Sequence, residues 1–171
     1  MWRLLPVLLL AWLACCGCVW GPGPGEDAFH PREKRTVRLN TIENRTFPHR
    51  PGLEYELTDR LKDEIATDRR LVLSESAADV LLKVSLIRFS EPTIVEDLKT
   101  GDPAEILLRA TAEIEATSDA YIGGKRKRKV NVSTSYAPGL GGDSRRAGLD
   151  RLWRDLAREI VEIAADDWSN S

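Results

Sequence analysis

LRATAEIEA, residues Leu108 to Ala116, alternates along its whole length. Leu108, Ala110, Ala112, Ile114 and Ala116 face one way, and Arg109, Thr111, Glu113 and Glu115 face the other. A period of two with one apolar and one polar side marks a strand that meets a core on one face and water on the other. The stretch therefore predicts a sheet left open on one side, and the rest of the chain has to supply the cover for the other.

The neighbouring stretches follow the same rule. Upstream, Val80, Leu82, Val84 and Leu86 alternate with Leu81, Lys83, Ser85 and Ile87, predicting a strand that ends near Pro92. Downstream, after a turn at Gly123-Gly124, Val130, Val132, Thr134 and Tyr136 predict another. Nearer the N-terminus, Thr36 to Ile42 reads as a half-buried strand, with Val37, Leu39 and Thr41 on one side and Arg38 and Asn40 on the other. Leu71-Val72-Leu73 reads as a short extended piece.

Two segments change period and supply the cover. Leu53, Leu57, Leu61 and Ile65 recur every four residues with Glu56, Asp59, Lys62 and Asp63 between them, and Pro51-Gly52 marks the entry to this amphipathic helix. Leu149, Leu152, Trp153, Leu156, Ile160 and Ile163 predict a second. Its first half carries Arg145, Arg146, Arg151, Arg154 and Arg158, whereas Glu159, Glu162, Asp166 and Asp167 come later. That order opposes the helix dipole, so tertiary packing has to hold this helix. The expected fold over residues 36–171 is α+β: a two-layer sandwich of a mainly antiparallel, four- to five-stranded sheet with two helices packed on one face.

The start of the chain belongs to a different class. Met1-Trp2-Arg3 carries one positive charge, Leu4 to Ala14 is nearly all apolar, and small residues follow. This is the pattern of an export signal over residues 1–17, with an apolar run too short to span a bilayer. All three cysteines, Cys15, Cys16 and Cys18, sit at its end, where the sequence resembles the lipobox of bacterial lipoproteins. Gly17 before Cys18 makes Cys18 the expected lipid anchor, with Cys16 the alternative. Zinc needs a second ligand pair at suitable spacing, and the chain has none. Residues 18–35 read as the anchor and a flexible Gly/Pro tether. Val19 after the cysteine is similar to sorting patterns for the outer membrane, which predicts a lipid-anchored protein on its periplasmic face.

Chemistry is sparse. The net charge of −2 argues against a nucleic-acid binder. No Gly-x-Ser-x-Gly or His-Glu-x-x-His occurs, and His49 stands in a Pro-flanked loop, so the expectation is no enzyme, no metal and no cofactor. The Gly139–Ser144 loop lacks the lysine of a phosphate-binding loop and reads as a connection with a cap at Asp143 or Ser144. The dense run Lys125-Arg126-Lys127-Arg128-Lys129 fits two readings: a site for lipid phosphate, or a solvated hairpin end that discourages aggregation.

Taken together, Ile42-Glu43-Asn44-Arg45-Thr46-Phe47 and Pro51-Gly52-Leu53-Glu54-Tyr55-Glu56-Leu57-Thr58 resemble the LptE family of lipopolysaccharide-assembly lipoproteins, and the likeness runs from about Thr36 to Trp168. The resemblance implies a non-enzymatic subunit that sits inside the outer-membrane β-barrel LptD, supports its assembly, and binds lipopolysaccharide or another anionic lipid. Two features depart from it: Val19-Trp20 and a Gly/Pro tether after the cysteine, and a denser basic run. Within the motif, Glu43, Asn44, Arg45, Thr46 and Phe47 form a candidate partner loop. On the alternative reading Asn44 and Thr46 close a turn and Phe47 caps the core. A lipid-anchored periplasmic binding module serving a transporter or cell-wall enzyme is the competing function.

Overall fold

The computed structural model describes residues 34–119, 124–138 and 144–165. The expected signal, Cys16, Cys18, the tether as far as residue 33, Gly123, residues 139–143 and Asp166 onward lie outside the described residues, and Arg35, expected as the end of the tether, instead begins a strand. Seven strands form one sheet: β1 (Arg35–Leu39), β2 (Glu43–Asn44), β3 (Leu71–Leu73), β4 (Val80–Ser90), β5 (Thr93–Glu96), β6 (Pro103–Thr117) and β7 (Lys125–Tyr136). Two helices, α1 (Leu53–Thr67) and α2 (Arg145–Ala165), complete the described elements.

The expected α+β arrangement holds, but the sheet is mixed rather than mainly antiparallel. The path runs β3-β1-β4-β6-β5, with β2 on β4 and β7 on β6. β1 pairs in parallel with both β3 and β4, and β2 pairs in parallel with β4. The cause is α1. A helix between two strands of one sheet returns the chain to the starting end, so the strand that follows runs the same way as the one before. Only β4, β5, β6 and β7, joined without a helix, are antiparallel.

The first strand also departs from the simple alternation. Val37 is fully buried as expected, but Thr41 is exposed and Ile42 is buried instead. Leu39 stands opposite Leu82 whereas Glu43 stands opposite Ser85, so this chain has one residue more than β4 between the two pairings. An extra residue shifts every later side chain to the other face. It places Asn44 on the helix side, opposite Leu86, and Glu43 on the open side.

Both helices cover that same face. α1 buries Leu53, Leu57, Leu61 and Ile65 and packs beside β2 and β3; α2 packs over β6 and β7. The α2 approach is close because of Gly148, where a Cβ would stand 3.0 Å from Leu108 Cδ1 and 3.2 Å from Tyr136 Cβ. Trp153 is buried and stacks on Phe89, with centroids 5.8 Å apart, and its Nε1 donates to Glu56 Oε2 of α1 at 2.8 Å. α2 has no acidic residue in its first turn and no basic residue in its last. Its charges meet partners on other elements: Arg145 with Glu91, Arg158 with Glu64, and Glu162 with Arg70. Packing and these contacts hold the helix against its own dipole.

Candidate functional site

The basic run forms the first half of β7, and its strand geometry divides it. Lys125, Lys127 and Lys129 lie opposite Thr117, Glu115 and Glu113 on the open face, while Arg126 and Arg128 lie opposite Ala116 and Ile114 on the other. On the open face Lys125 Nζ stands 2.5 Å and Lys127 Nζ 3.2 Å from the Glu115 carboxylate. The hydrogen bond from Lys125, then that from Lys127, holds the Glu115 carboxyl below the usual range. Arg126 and Arg128 are engaged in contacts of their own. The five cations are therefore a strip on each of two faces, not one convergent patch. Further across the sheet, Lys83 Nζ lies 3.0 Å from Glu43 Oε1, and Arg45 pairs with the same carboxylate. Those hydrogen bonds, Lys83 first, lower the Glu43 pKa.

In the row next to that of Lys129, reached across the sheet through Ala112 and Leu86, Asn44 organises the turn into α1. Its Nδ2 donates to Arg50 O at 2.8 Å and to Glu54 Oε2 at 2.7 Å; its Oδ1 accepts from Thr46 Oγ1 at 2.7 Å and from Thr46 N at 3.2 Å. Glu54 also accepts from Gly52 N at 3.2 Å. Backbone N–H donation at Glu54 itself, then the Asn44 amide, lowers the Glu54 pKa. Gly52 caps the helix at φ 99°, a left-handed conformation that only glycine takes without strain. Asn44 and Thr46 thus close a turn, with Thr46 buried.

Phe47 does not cap the core. It is 93% exposed, next to a cis Phe47–Pro48 peptide, and Tyr55 on α1 is 71% exposed. The Phe89 ring is covered instead by Arg50, whose guanidinium carbon stands 5.2 Å from the ring centroid. Arg50 also pairs with Glu91 at 3.1 Å, and Arg145 reaches the same carboxylate. That bond raises the Arg145 pKa. The motif is thereby sorted by depth: Asn44 and Thr46 turn inward, Glu43 and Arg45 pair with each other, and Phe47 meets solvent.

Residues 93–107, outside every stretch of clean alternation, form an arm at the start of β6. β5 pairs with the start of β6, and Asp97 closes the turn by accepting from Lys99 N at 2.7 Å. Ile94, Val95 and Leu98 are exposed on it. The available signal was Ile94-Val95 and Ile106-Leu107 on either side of Thr100-Gly101-Asp102.

Between α1 and α2 lies a groove of about 1000 Å³ that includes Glu56, Arg60, Asp63, Asp150 and Trp153. Glu56 accepts from Trp153, and Arg60 pairs with Asp63 and Asp150. These carboxylates are engaged with partners rather than aimed at a substrate position. His49 is exposed on the turn, and among the described residues no three potential ligands gather as for a metal ion.

A family model described as LptE, lipopolysaccharide-assembly, matches residues 35–162. No curated protein matches the sequence. Among solved structures, the hypothetical protein CT253 from Chlamydia trachomatis is similar at 11% identity and TM-score 0.55, over 76% of this chain and 95% of that one. Protein XCC0632 from Xanthomonas campestris is similar at 9% identity and TM-score 0.57, over 79% and 86%. At such identities the likeness is one of fold.

Proposed function

This chain belongs to the LptE, lipopolysaccharide-assembly, family, and from that membership we propose that it is a lipid-anchored subunit of the machinery that places lipopolysaccharide in the outer membrane. The observation that carries the reading is the extent of the match. Residues 35–162 take in every described strand, all of α1, α2 short of its last turn, and the hydrogen bonds of Asn44. The family is one of non-enzymatic assembly lipoproteins.

On this reading Cys18 carries the acyl chains, the folded domain stands at the periplasmic face of the outer membrane, and its partner is a β-barrel of the LptD type. Lipopolysaccharide or another anionic lipid is the ligand, and Lys125 to Lys129 supply cations for its phosphates. Of the candidate loop, Phe47 is the partner contact: it is exposed while Asn44 and Thr46 are used inside the turn. An exposed aromatic ring on a braced loop brings apolar area at little cost in ordering.

Affinity capture of the tagged chain from mildly solubilised membranes, followed by mass spectrometry, tests this. A large β-barrel protein recovered at near-equal amount is the expected result, with recovery reduced about tenfold for Phe47→Ala, as for a central aromatic contact. Absence of any barrel across several detergents overturns the reading in favour of a lipid-anchored periplasmic binding module.

A further inference from the structure

β7 is an edge strand, and the hydrogen bonds around it show which of its groups face outward. Ile106 of β6 stands opposite both Thr93 of β5 and Tyr136 of β7, so β4 and β5 lie on one flank of β6 and β7 on the other. Ser118 N donates to Gly124 O at 3.1 Å, and from there the antiparallel register with β6 runs without a shift to Tyr136. Bonded and non-bonded pairs alternate along such a ladder. Arg126, Arg128, Val130, Val132 and Thr134 therefore turn their main-chain groups to β6, and Lys127, Lys129, Asn131 and Ser133 turn theirs away from it. The next residue of the second set bears this out. Leu107, opposite Ser135, gives its N–H to Pro92 O at 2.9 Å on the other flank, and Ser135 O accepts from Arg151 Nη2 of α2 at 2.9 Å. Among the described residues nothing bonds to the outward N–H and C=O groups of Lys127, Lys129, Asn131 and Ser133.

We propose that this edge binds an extended, acidic segment of a partner protein, which adds to the sheet as a strand beside residues 127–133. The other edges of the sheet suit such pairing less. β3 is three residues long, and β5 is four with two shifts of register, whereas β7 offers 12 residues in unbroken register and without proline. Main-chain bonds along residues 127–133, roughly 23 Å of strand, give affinity to any extended chain. Side chains have to supply the choice of partner.

Charge supplies it. An added strand lies about 4.8 Å outside β7 and meets the side chains of both its faces. Residues 125–129 are all cationic, and β7 itself holds no carboxylate. The nearest cross-strand carboxylates belong to β6, one strand further in. Glu115 takes Lys125 and Lys127, while Lys129, opposite Glu113, has no ion pair among the described residues. Acidic side chains beside Lys127 and Lys129 therefore gain contacts, and an apolar one fits beside Val132, which is partly buried at the border of the core. A second copy of β7 would bring five more cations to the same edge, where like charges repel. Lysine thus guards the edge against indiscriminate pairing and leaves an acidic strand as the kind that gains. A lipid phosphate reaches the same lysine heads over the open face without touching the main chain, so main-chain contact is the property to measure.

The test uses the full chain purified in detergent and a fluorescent peptide of about ten residues in which glutamate and valine alternate. Two further peptides carry N-methyl groups, one on every glutamate nitrogen and the other on every valine nitrogen. Main-chain groups of alternate residues point to opposite sides of a strand, so only one isomer keeps its donors toward β7. That isomer and the parent peptide should bind alike, and the other at least about tenfold more weakly, since several hydrogen bonds are lost at once. Ser133→Pro should weaken the parent peptide about tenfold and keep the urea midpoint, because the Ser133 N–H bonds to nothing in the fold and an edge strand tolerates proline there. Lys127→Glu with Lys129→Glu should reverse the preference, from the glutamate peptide to one of lysine and valine. Equal affinity of the two methylated isomers overturns the proposal, leaving charge alone, and so does failure of the parent peptide to bind. A dimer of the chain that Ser133→Pro returns to monomers overturns it too, since a second copy would then fill the edge. If Ser133→Pro does not fold, the methylated pair decides. No β-barrel enters this experiment, so the partnership proposed above stands or falls separately.

Discussion

Two regions of this sheet, the turn at Asn44 and the basic strip of β7, are built by different physics. At the turn, four hydrogen bonds converge on one side chain, Asn44, and their convergence fixes where Phe47 stands. In the basic strip one carboxylate, Glu115, takes both Lys125 and Lys127. Strand alternation and exposed ion pairs sort Lys125 to Lys129 between two faces. A partly buried polar cluster fails when one member is removed, because the others lose partners in a dry place. Exposed ion pairs are individually weak and screened by salt. The Asn44 turn is therefore specified by shape, and the basic strip by strand alternation and charge.

The largest effect expected from this contrast is at Asn44. Asn44→Ala deprives buried Thr46 and the Arg50 carbonyl of their partner and should cost about 2 kcal/mol, read as a lower urea midpoint with an unchanged slope. A loss no greater than that of an exposed substitution would break the distinction between the two regions.

Acid should expose the carboxylates at both. Glu43, Glu54, Glu115 and Asp79 all have folded-state pKa values below the ordinary 4.5 for glutamate and 3.8 for aspartate. Their contribution is present above those ordinary values and is lost as pH falls through the folded ones. The urea midpoint should therefore be level near neutrality and drop below about pH 4.5. In Asn44→Ala the drop should be shallower, since the amide that favours ionised Glu54 is gone. An identical acid limb in the two proteins would place the titration elsewhere.

The smallest effects on stability belong to the residues proposed for recognition. Phe47→Ala and Lys127→Ala should each shift stability by no more than about 0.5 kcal/mol, as substitutions of exposed side chains do. A cost above about 2 kcal/mol at Phe47 would show the ring to be structural after all and would sharpen the Asn44 turn into a purely architectural device.

How much was legible beforehand varies along the chain for physical reasons. Leu108–Ala116 and the Leu53–Ile65 stripe were legible because period and burial coincide over several turns or pleats. Packing as the support of α2 was legible from charges placed against the dipole. The end of alternation at Asn40 was not, since one added residue leaves no mark in composition. Nor was β5, whose Ile94 and Val95 are apolar and exposed, so that neither alternation nor burial marks it. Within the family motif, residue types alone did not say that Asn44 and Thr46 would turn inward while Phe47 turned out.

By itself the sequence determined which segments are strands and helices, which side of most of them is apolar, and that two helices cover one face of a sheet. Those properties depend on local geometry, a period of two or of about 3.6, which residue order records directly. Only the tertiary structure decided that the sheet is mixed, that the basic run is split between two faces near the chain's entry, and that Phe47 is bare beside a braced Asn44. Strand direction, register and exposure depend on where the chain returns after α1 and on a single extra residue opposite β4, and no local period carries that information.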